Sequence, residues 1–302
     1  MSRRAGFRDN ESMQWLRQFF KRDKPEIPAA LWQECQGRLP FLAQLPAREL
    51  LRLKTLCETF LDRKTFTGAA DLELTDRIAV LIAAQACLPV LNLTLELYDD
   101  MAGIIVYPGS FIIAQSEMDE AGVVHEWREP VSGEAVHAGG AVVLSWEDIA
   151  DIEAPGYNVV IHEFAHKIDM RDGSANGCPP FLADYHKEIR AGDWQREFSA
   201  AYQDFAARVD ALDAQLPDNF DAEDATDAAM YDDLFAELPL DPYAARHPAE
   251  FFAVASEAFF VLPAPLAEEY PEIYRLLTLY YLQDPLSWQI APCGKETGGK
   301  HL

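Results

Sequence analysis

Residues 158–173 of this 302-residue chain read NVVIHEFAHKIDMRDG, and no other stretch says as much about the fold. Apolar residues recur around the two histidines at helical spacing, and Asn158 is of a type that commonly caps a helix N-terminus. The stretch therefore predicts a buried helix from about 158 to 170. On that helix His162 and His166 lie one turn apart on one face, so both imidazoles can bind one metal ion.

Two carboxylates of the same stretch have predicted roles other than binding the metal. Glu163 follows the first histidine and is placed to contact a metal-bound water rather than the metal. Asp169 lies one turn after His166 on the same face, where it could orient a ligand imidazole. The alternative, two histidines packed inside a buried helix without a metal, is the weaker interpretation because residue types, spacing and helical context all coincide.

The third metal ligand must come from elsewhere in the chain, since a catalytic zinc ion commonly has three protein ligands. A third histidine in the pattern H-E-x-x-H-x-x-G-x-x-H is excluded because Asp169 and Asp172 occupy the required Gly and His positions. A carboxylate from a later helix is the remaining common solution. The apolar helix expected to begin at Pro248 carries Glu250 and Glu257 on one face, and spacing alone does not rank them.

Hydrophobic periodicity predicts an α+β fold that is mainly helical, with a small, mostly antiparallel sheet next to the helix of the histidines. The sheet is expected over 91–146. Its first strand is predicted at Leu91 to Leu97, where leucines alternate with polar residues, and its second at Ile104 to Tyr107. Its last strand, Val142 to Trp146, is expected to be an edge that pairs with an extended peptide. Helices are predicted over 28–66, 75–87, 180–214, 248–262 and 265–283.

One composite domain is expected over 25–290, with a flexible segment at 1–24 and a tail at 291–302. The chain has 25 Lys and Arg against 50 Asp and Glu, a formal net charge of −25 at pH 7. This acidity disfavours direct nucleic-acid binding and docking on anionic membranes. Twelve of the acidic residues lie in 203–241, which is expected to be a solvated loop with a short helix. A regulatory flap or a selector for basic substrates is the alternative.

The cysteines and the remaining histidines indicate no further metal site. The five cysteines are odd in number and scattered, without a C-x-x-C pair, which argues against a disulfide framework and against cysteine-ligated zinc. The pattern is typical of a reducing compartment, so a cytoplasmic protein is expected. The other histidines lack ligand spacing and are expected to be structural or at the surface: His125, His137, His186, His247 and His301.

Several segments together resemble the MtfA family of zinc metallopeptidases. The resemblance rests on residues 158–173 and 241–257, and it extends to 83–89, 107–109 and 144–146. It covers most of residues 25–290. Members share a zincin core with the catalytic domain of anthrax lethal factor, so the resemblance implies a zincin-like fold for this chain. The acidic stretch before Tyr243 looks longer than family members usually carry.

The resemblance also implies roles for individual residues. One zinc ion per chain would be bound by His162, His166 and Glu250, a gluzincin-type ligand set. Glu163 would be the general base. Tyr243 would donate a hydrogen bond to the oxyanion of the tetrahedral intermediate.

Glu257 and Asp169 would then remain as partners behind the ligands. The activity implied is hydrolysis of peptide bonds, and an aminopeptidase is favoured because acidic surroundings would hold a free amino terminus. The family is named for titrating a transcriptional repressor of glucose uptake. The alternative function is therefore a regulator that binds such a repressor with little catalytic turnover.

Overall fold

The structure is a computed structural model that describes residues 26–109, 111–118, 124–131, 133–135, 140–150, 156–217, 219–222 and 224–289. The expectations for 1–24 and 291–302 lie outside these residues, as do those for the side chains of His125, His137 and His301. Within the described part, the predicted mainly helical α+β architecture is confirmed.

The N-terminal part consists of helices α1 (Ala29–Arg38), α2 (Ala47–Arg63) and α3 (Asp76–Cys87). A 3₁₀ helix, Pro40–Gln44, separates α1 from α2, so the predicted helical region 28–66 is interrupted. Its last residues instead belong to strand β1 (Thr65–Gly68). Helix α3 is buried along most of its length, which agrees with the prediction of a buried helix over 75–87.

The prediction of a strand at Leu91 to Leu97 is wrong. After Pro89 the backbone turns and then forms a 3₁₀ helix, Leu95–Tyr98, whose first turn is capped by the hydroxyl of Thr94. The leucines pack into the helical core, and Tyr98, which follows them directly, is fully buried. Backbone groups here form hydrogen bonds within local turns and need no neighbouring strand. Alternating apolar and polar residues do not distinguish such turns from a strand.

The main sheet has four strands in the order β1–β2–β6–β5, with β2 at Gly103–Tyr107, β5 at Gly133–Ala135 and β6 at Val142–Ser145. Strands β1, β2 and β6 are parallel to one another, and β5 pairs antiparallel with β6. The expectation of a mostly antiparallel sheet therefore needs correction. The long connections between the three parallel strands make the crossovers that this pairing requires. A separate antiparallel pair is formed by β3 (Phe111–Met118) and β4 (Val124–Val131).

The prediction that Val142 to Trp146 forms a sheet edge is also wrong. Strand β6 lies between β2 and β5, with Val142 opposite Ile104 on one side and Ala135 on the other. Trp146 begins the short helix α4 (Trp146–Ala150). Strand β5 precedes β6 closely in sequence and pairs with the side of β6 that β2 leaves free.

The C-terminal part is helical, as predicted, but it is divided more finely. The predicted helix 180–214 begins only at Ala191, and the predicted helix 265–283 is split before Pro271, because proline starts a new helix readily. The acidic stretch 203–241 contains the end of one helix and the whole of another. No helix among the described residues has the length and apolar character needed to cross a membrane. The helices are α5 (Val159–Asp169), α6 (Ala191–Asp213), α7 (Ala225–Phe235), α8 (Pro248–Val261), α9 (Pro263–Glu269), α10 (Pro271–Tyr281) and α11 (Pro285–Gln289).

Helix α5 is the central element of the fold. It contacts α3, β5 and β6, and its most extensive contacts are with α8. Helix α8 is apolar nearly all round and is correspondingly buried, with Phe251 and Phe252 almost fully inaccessible. Burial of each such ring contributes about 1.5–3 kcal/mol to the free energy of folding. The pair α5–α8 is therefore held rigidly in the middle of the molecule.

Candidate metal centre

The two histidines lie on the face of α5 that meets α8. The helix begins as predicted at Asn158, whose Oδ1 accepts a hydrogen bond from Ile161 N at 2.9 Å. The imidazole rings of His162 and His166 are one turn apart, with centroids separated by 4.7 Å. Elsewhere on the helix, Phe164 packs edge-on against Tyr98 at 4.9 Å, which fixes the rotation of α5 about its axis.

Helix α8 brings a carboxylate to the two imidazoles. Glu250 lies in its first turn, which begins at Pro248 and is capped by Nδ1 of His247. Oε2 of Glu250 is 3.1 Å from Nε2 of His162 and 3.1 Å from Nε2 of His166. The two Nε2 atoms are themselves 3.1 Å apart, so the three atoms form an equilateral triangle.

This triangle fits the donor set of a zinc ion. Metal–ligand distances of 2.0–2.1 Å in tetrahedral geometry imply ligand atoms about 3.3–3.4 Å apart, close to the observed separations. Hydrogen bonds alone do not satisfy these atoms. Each Nε2 atom carries at most one hydrogen, so the three edges cannot all be hydrogen bonds: if both imidazoles donate to Glu250, their two N–H groups face each other at 3.1 Å. A cation between the three atoms removes this conflict. The residues present therefore fit a metal ion.

Glu257 lies two turns after Glu250 on the same face of α8 and contacts the opposite side of His162. Its Oε1 is 2.6 Å from Nδ1 of His162, and its side chain is almost fully buried. Burial by itself would lower the pKa of His162, but the Glu257 carboxylate and Glu250 raise this pKa well above its ordinary value. The structure thus separates the two glutamates: Glu250 meets both imidazoles at Nε2, and Glu257 holds one of them from behind.

Glu163 lies buried beside this triangle without joining it. Its Oε2 has no hydrogen-bond partner among the described residues. Burial raises the pKa of Glu163 to about 7, against the opposing effect of His162 and His166. Glu250 differs, because hydrogen bonds from the two imidazoles outweigh its burial and hold its pKa well below the ordinary value. A carboxylate in the position of Glu163 can accept a proton near neutral pH.

Asp169 makes contacts other than the one expected. Its Oδ2 accepts hydrogen bonds from the backbone N–H groups of Asn176 at 2.8 Å and Gly177 at 2.7 Å. Burial raises the pKa of Asp169 to about 6, although these two hydrogen bonds act in the opposite direction. Its Oδ1 and Nδ1 of His166 both have no hydrogen-bond partner within the described part of the chain, so no hydrogen bond joins the two residues.

Tyr243 lies on the solvent side of His162. It belongs to a 3₁₀ helix, Pro242–Ala245, in which Asp241 accepts a hydrogen bond from Tyr243 N at 2.8 Å. Tyr243 is 41% exposed, and the centroid of its ring is 6.0 Å from that of His162. Arg246 stacks on this ring, with its guanidinium carbon 4.8 Å from the centroid. Sequence reasoning did not single out Arg246, although its spacing of three from Tyr243 places the two on one side of a 3₁₀ turn.

Of the other histidines with described side chains, one is structural and one is a helix cap. His186 is buried, and its two ring nitrogens bond to the backbone of Leu182 and Tyr280. His247 caps α8. The four cysteines within the described residues are free thiols, and three of them are buried: Cys35, Cys57, Cys87 and Cys178. The expectation of a structural role is confirmed for His186 and His247.

Comparison with known proteins places these residues inside a long region of similarity. A family model described as glucose-regulated metallo-peptidase M90 matches residues 12–282. An uncharacterized protein of Synechocystis is 35% identical over 282 residues, which cover 90% of this chain and 90% of the relative. The Mlc titration factor A of Pectobacterium atrosepticum is 34% identical over 272 residues, covering 88% of this chain and 92% of the relative. That of Escherichia coli strain 55989 is 34% identical over 256 residues, covering 84% and 86%.

Proposed function

Because this chain belongs to the family of glucose-regulated metallopeptidases M90, we propose that it is a zinc-dependent peptidase with a zincin-like fold. The observation that carries the proposal is the triangle of His162 Nε2, His166 Nε2 and Glu250 Oε2, with edges of 3.1 Å. Two histidines and one glutamate are a common ligand set of catalytic zinc. These three residues would hold the ion.

A bound zinc ion would lower the pKa of its water ligand to about 7 and would polarise the scissile carbonyl. Glu163 accepts the proton of the attacking water and delivers it to the leaving amine. Its burial supports this role, because a pKa of about 7 lets one carboxylate act first as base and then as acid. Glu257 keeps the imidazole of His162 in one tautomer. Asp169 does not act in the same way on His166, because it accepts hydrogen bonds from the backbone of Asn176 and Gly177 instead.

Tyr243 donates its phenolic hydrogen to the oxyanion that forms on the substrate carbonyl. Two contacts hold Tyr243 in place. Asp241 caps the turn that carries it, and Arg246 stacks on its ring. A phenol can donate this hydrogen bond without bringing a full charge into the site. The exposed position of the ring lets it contact a substrate that enters from solvent.

The substrate class is a peptide or protein, and we propose an aminopeptidase. The last residue of the acidic stretch 203–241, Asp241, caps the turn of Tyr243, so this stretch reaches the site. A negative surface near the site attracts the cationic amino terminus of a peptide. Comparing kcat/KM for a peptide with a free amino terminus and for its acetylated form measures this preference. Equal values would exclude the aminopeptidase.

A second function is supported by the printed names of relatives, Mlc titration factor A. We propose that this chain also binds a repressor of the Mlc kind. Binding and catalysis are separable, because Glu163 is buried and a substitution there leaves the surface unchanged. A pull-down with Glu163→Gln should therefore retain the repressor. Loss of capture in this variant would contradict a binding surface that is separate from the site.

Metal analysis and kinetics of three variants test the peptidase. Purified wild-type protein should contain one zinc ion per chain. Glu163→Gln should retain zinc and lose about 10²–10⁴-fold in kcat, because a general base is removed. His162→Ala should lose zinc as well.

The matched control is Glu268→Gln, the same change at an exposed position, which should leave zinc content and kcat as in the wild type. A purified wild-type chain without stoichiometric zinc would contradict the proposed function. Retention of full activity by Glu163→Gln would contradict the role of Glu163 alone.

A further inference from the structure

A series of buried polar groups leads from the candidate metal centre to helix α3. Oε2 of Glu257 accepts a hydrogen bond from the backbone N–H of Asn158. The side-chain Nδ2 of Asn158 donates to Oε1 of Gln85 at 2.7 Å, and Nε2 of Gln85 donates to the carbonyl of Leu81 at 2.9 Å. Glu257, Asn158 and Gln85 are all buried. Buried polar groups without partners are costly, so this series of bonds is energetically constrained.

The start of α5 resembles a capping box whose second half comes from another helix. In a capping box the cap residue bonds the N–H three residues on, and the residue there returns a carboxylate to the N–H of the cap. Asn158 makes the first bond, to Ile161 N, but Ile161 has no carboxylate to return. Glu257 of α8, 99 residues away in sequence, accepts the N–H of the cap instead. Its other oxygen bonds His162, so one carboxylate both caps α5 and orients an imidazole.

Gln85 determines which way the side-chain amide of Asn158 faces. Because Nε2 of Gln85 is committed to the Leu81 carbonyl, its Oε1 is the atom that faces Asn158. Asn158 must then direct Nδ2 towards Gln85 and Oδ1 towards Ile161 N. Turning either amide over would bring two donors or two acceptors together in a buried place. Gln85 therefore holds the side chain of Asn158 in the orientation that caps α5, and the backbone N–H of the same residue bonds Glu257.

We propose that Gln85 is a positioning residue of the metal centre, which acts through Asn158 and Glu257 to hold His162 in the orientation for binding metal. This proposal deepens the proposed function and rests on it. Gln85 does not belong to the ligand triangle and acts only through the residues between. If the cap moves, the buried carboxylate of Glu257 loses a donor and His162 loses a fixed partner. The expected effect is on metal affinity, since outer partners of ligand histidines commonly contribute 10–100-fold.

Two variants remove the hydrogen bond between Asn158 and Gln85. The first keeps the volume of the buried side chain, and the second keeps the cap of α5. Gln85→Leu removes both amide hydrogen bonds with a side chain of similar volume. Asn158→Ser keeps an oxygen that can cap α5 and loses the donor to Gln85. Each variant should bind Zn²⁺ about tenfold more weakly, the lower end of the range for outer partners, when the metal-depleted protein is titrated against a chromophoric chelator. The double variant should lose no more than the weaker-binding single variant, because both substitutions break one path.

The matched control is Gln283→Leu. Gln283 is also buried, and its Nε2 donates to the carbonyl of Leu88 at 2.8 Å. This variant should lose thermal stability comparable to that lost by Gln85→Leu but keep wild-type Zn²⁺ affinity.

Three results would overturn the proposal. The first is a Zn²⁺ affinity of Gln85→Leu equal to that of the wild type. If Gln85→Leu does not fold, a wild-type Zn²⁺ affinity of Asn158→Ser overturns the proposal instead. A tenfold loss in Gln283→Leu would reveal general loosening of the core instead of positioning. A wild-type chain that binds no Zn²⁺ would overturn the proposed function and this inference together. If the wild type binds Zn²⁺ and Gln85→Leu binds it equally tightly, only this inference is overturned.

Discussion

At the scale of single residues, the site depends on the different surroundings of similar side chains. Glu250 and Glu257 both lie within hydrogen-bond distance of His162, and Glu163 interacts electrostatically with both imidazoles. The pKa of Glu250 is held low by hydrogen bonds from His162 and His166, while burial raises the pKa of Glu163 to about 7. These different surroundings support the roles proposed above, metal binding for Glu250 and proton transfer for Glu163.

The distinction between Glu250 and Glu257 gives a prediction about metal binding. Glu250→Gln should abolish stoichiometric zinc after dialysis, because it removes the charged oxygen that faces both imidazoles. Glu257→Gln keeps the triangle and should bind zinc about 10–100-fold more weakly. Zinc content and chelator competition measure both effects. The reverse order of affinities would mean that Glu257 is the ligand.

At the scale of elements, the loop after α5 sets the start of α8. Gly177 donates its N–H to Asp169, accepts a hydrogen bond from Trp194 Nε1 at 3.0 Å, and lies against the carbonyl of Pro248. Its φ of +79° is in the region that favours glycine, and a Cβ atom there would lie 2.5 Å from Pro248 O. Since Pro248 precedes Glu250 by half a turn, this contact couples the loop to the proposed metal ligand.

Gly177→Ala should therefore lower both stability and zinc affinity. The positive φ alone costs about 1–3 kcal/mol, and the contact with a backbone carbonyl adds to this cost. Chemical denaturation and zinc titration measure the two effects. The control is Gly192→Ala in α6, where a Cβ meets nothing within 4 Å and alanine is the better helix former. A Gly177→Ala variant as stable as the wild type would show that the loop can move away from α8.

Element prediction from sequence succeeded where the deciding interactions are local. The start of α5 at Asn158 and that of α8 at Pro248 were predicted because capping and the fixed φ of proline act within one turn. The strand predicted at Leu91 to Leu97 was wrong, since alternating burial there comes from packing on helices. Strand direction and the edge position of β6 were also wrong, because pairing partners are distant in sequence and leave no local signal.

At the scale of the whole molecule, buried titratable groups link stability to pH. His186 is buried, with Nδ1 accepting from Leu182 N at 2.9 Å and Nε2 donating to the Tyr280 carbonyl at 2.9 Å. It therefore joins the segment before α6 to α10 as a neutral imidazole. Burial lowers the pKa of His186 below its ordinary value of 6.5, although the bond to Tyr280 acts in the opposite direction.

The sign of this effect follows from proton counting. Below pH 6.5 the unfolded chain binds a proton at His186 more readily than the folded protein does, so the free energy of unfolding should fall as pH is lowered. The stabilisation is fully present above pH 6.5 and is lost as pH falls. His186→Asn, whose Oδ1 can still accept from Leu182 N, should show a smaller decrease between pH 7 and about pH 5.

The contribution of His186 is measured from the denaturation midpoints of wild type and variant at each pH. The difference between the two midpoints at pH 8 serves as the reference. An identical pH dependence in the two proteins would contradict it. Other acidic groups also titrate as the pH falls, and comparing the same chain with and without His186 cancels their effect.

The sequence by itself determined the chemical identity of the site: a helix with two histidines and a glutamate at the spacing H-E-x-x-H, and a second helix with two candidate carboxylates. Only the tertiary structure decided which carboxylate meets both imidazoles, that Glu257 caps α5 from α8, and that Gln85 of α3 joins the same series of hydrogen bonds. The physical reason is range. Helical spacing and capping depend on neighbours within a turn, whereas these contacts join residues 73 to 99 positions apart, whose meeting depends on how the whole core packs.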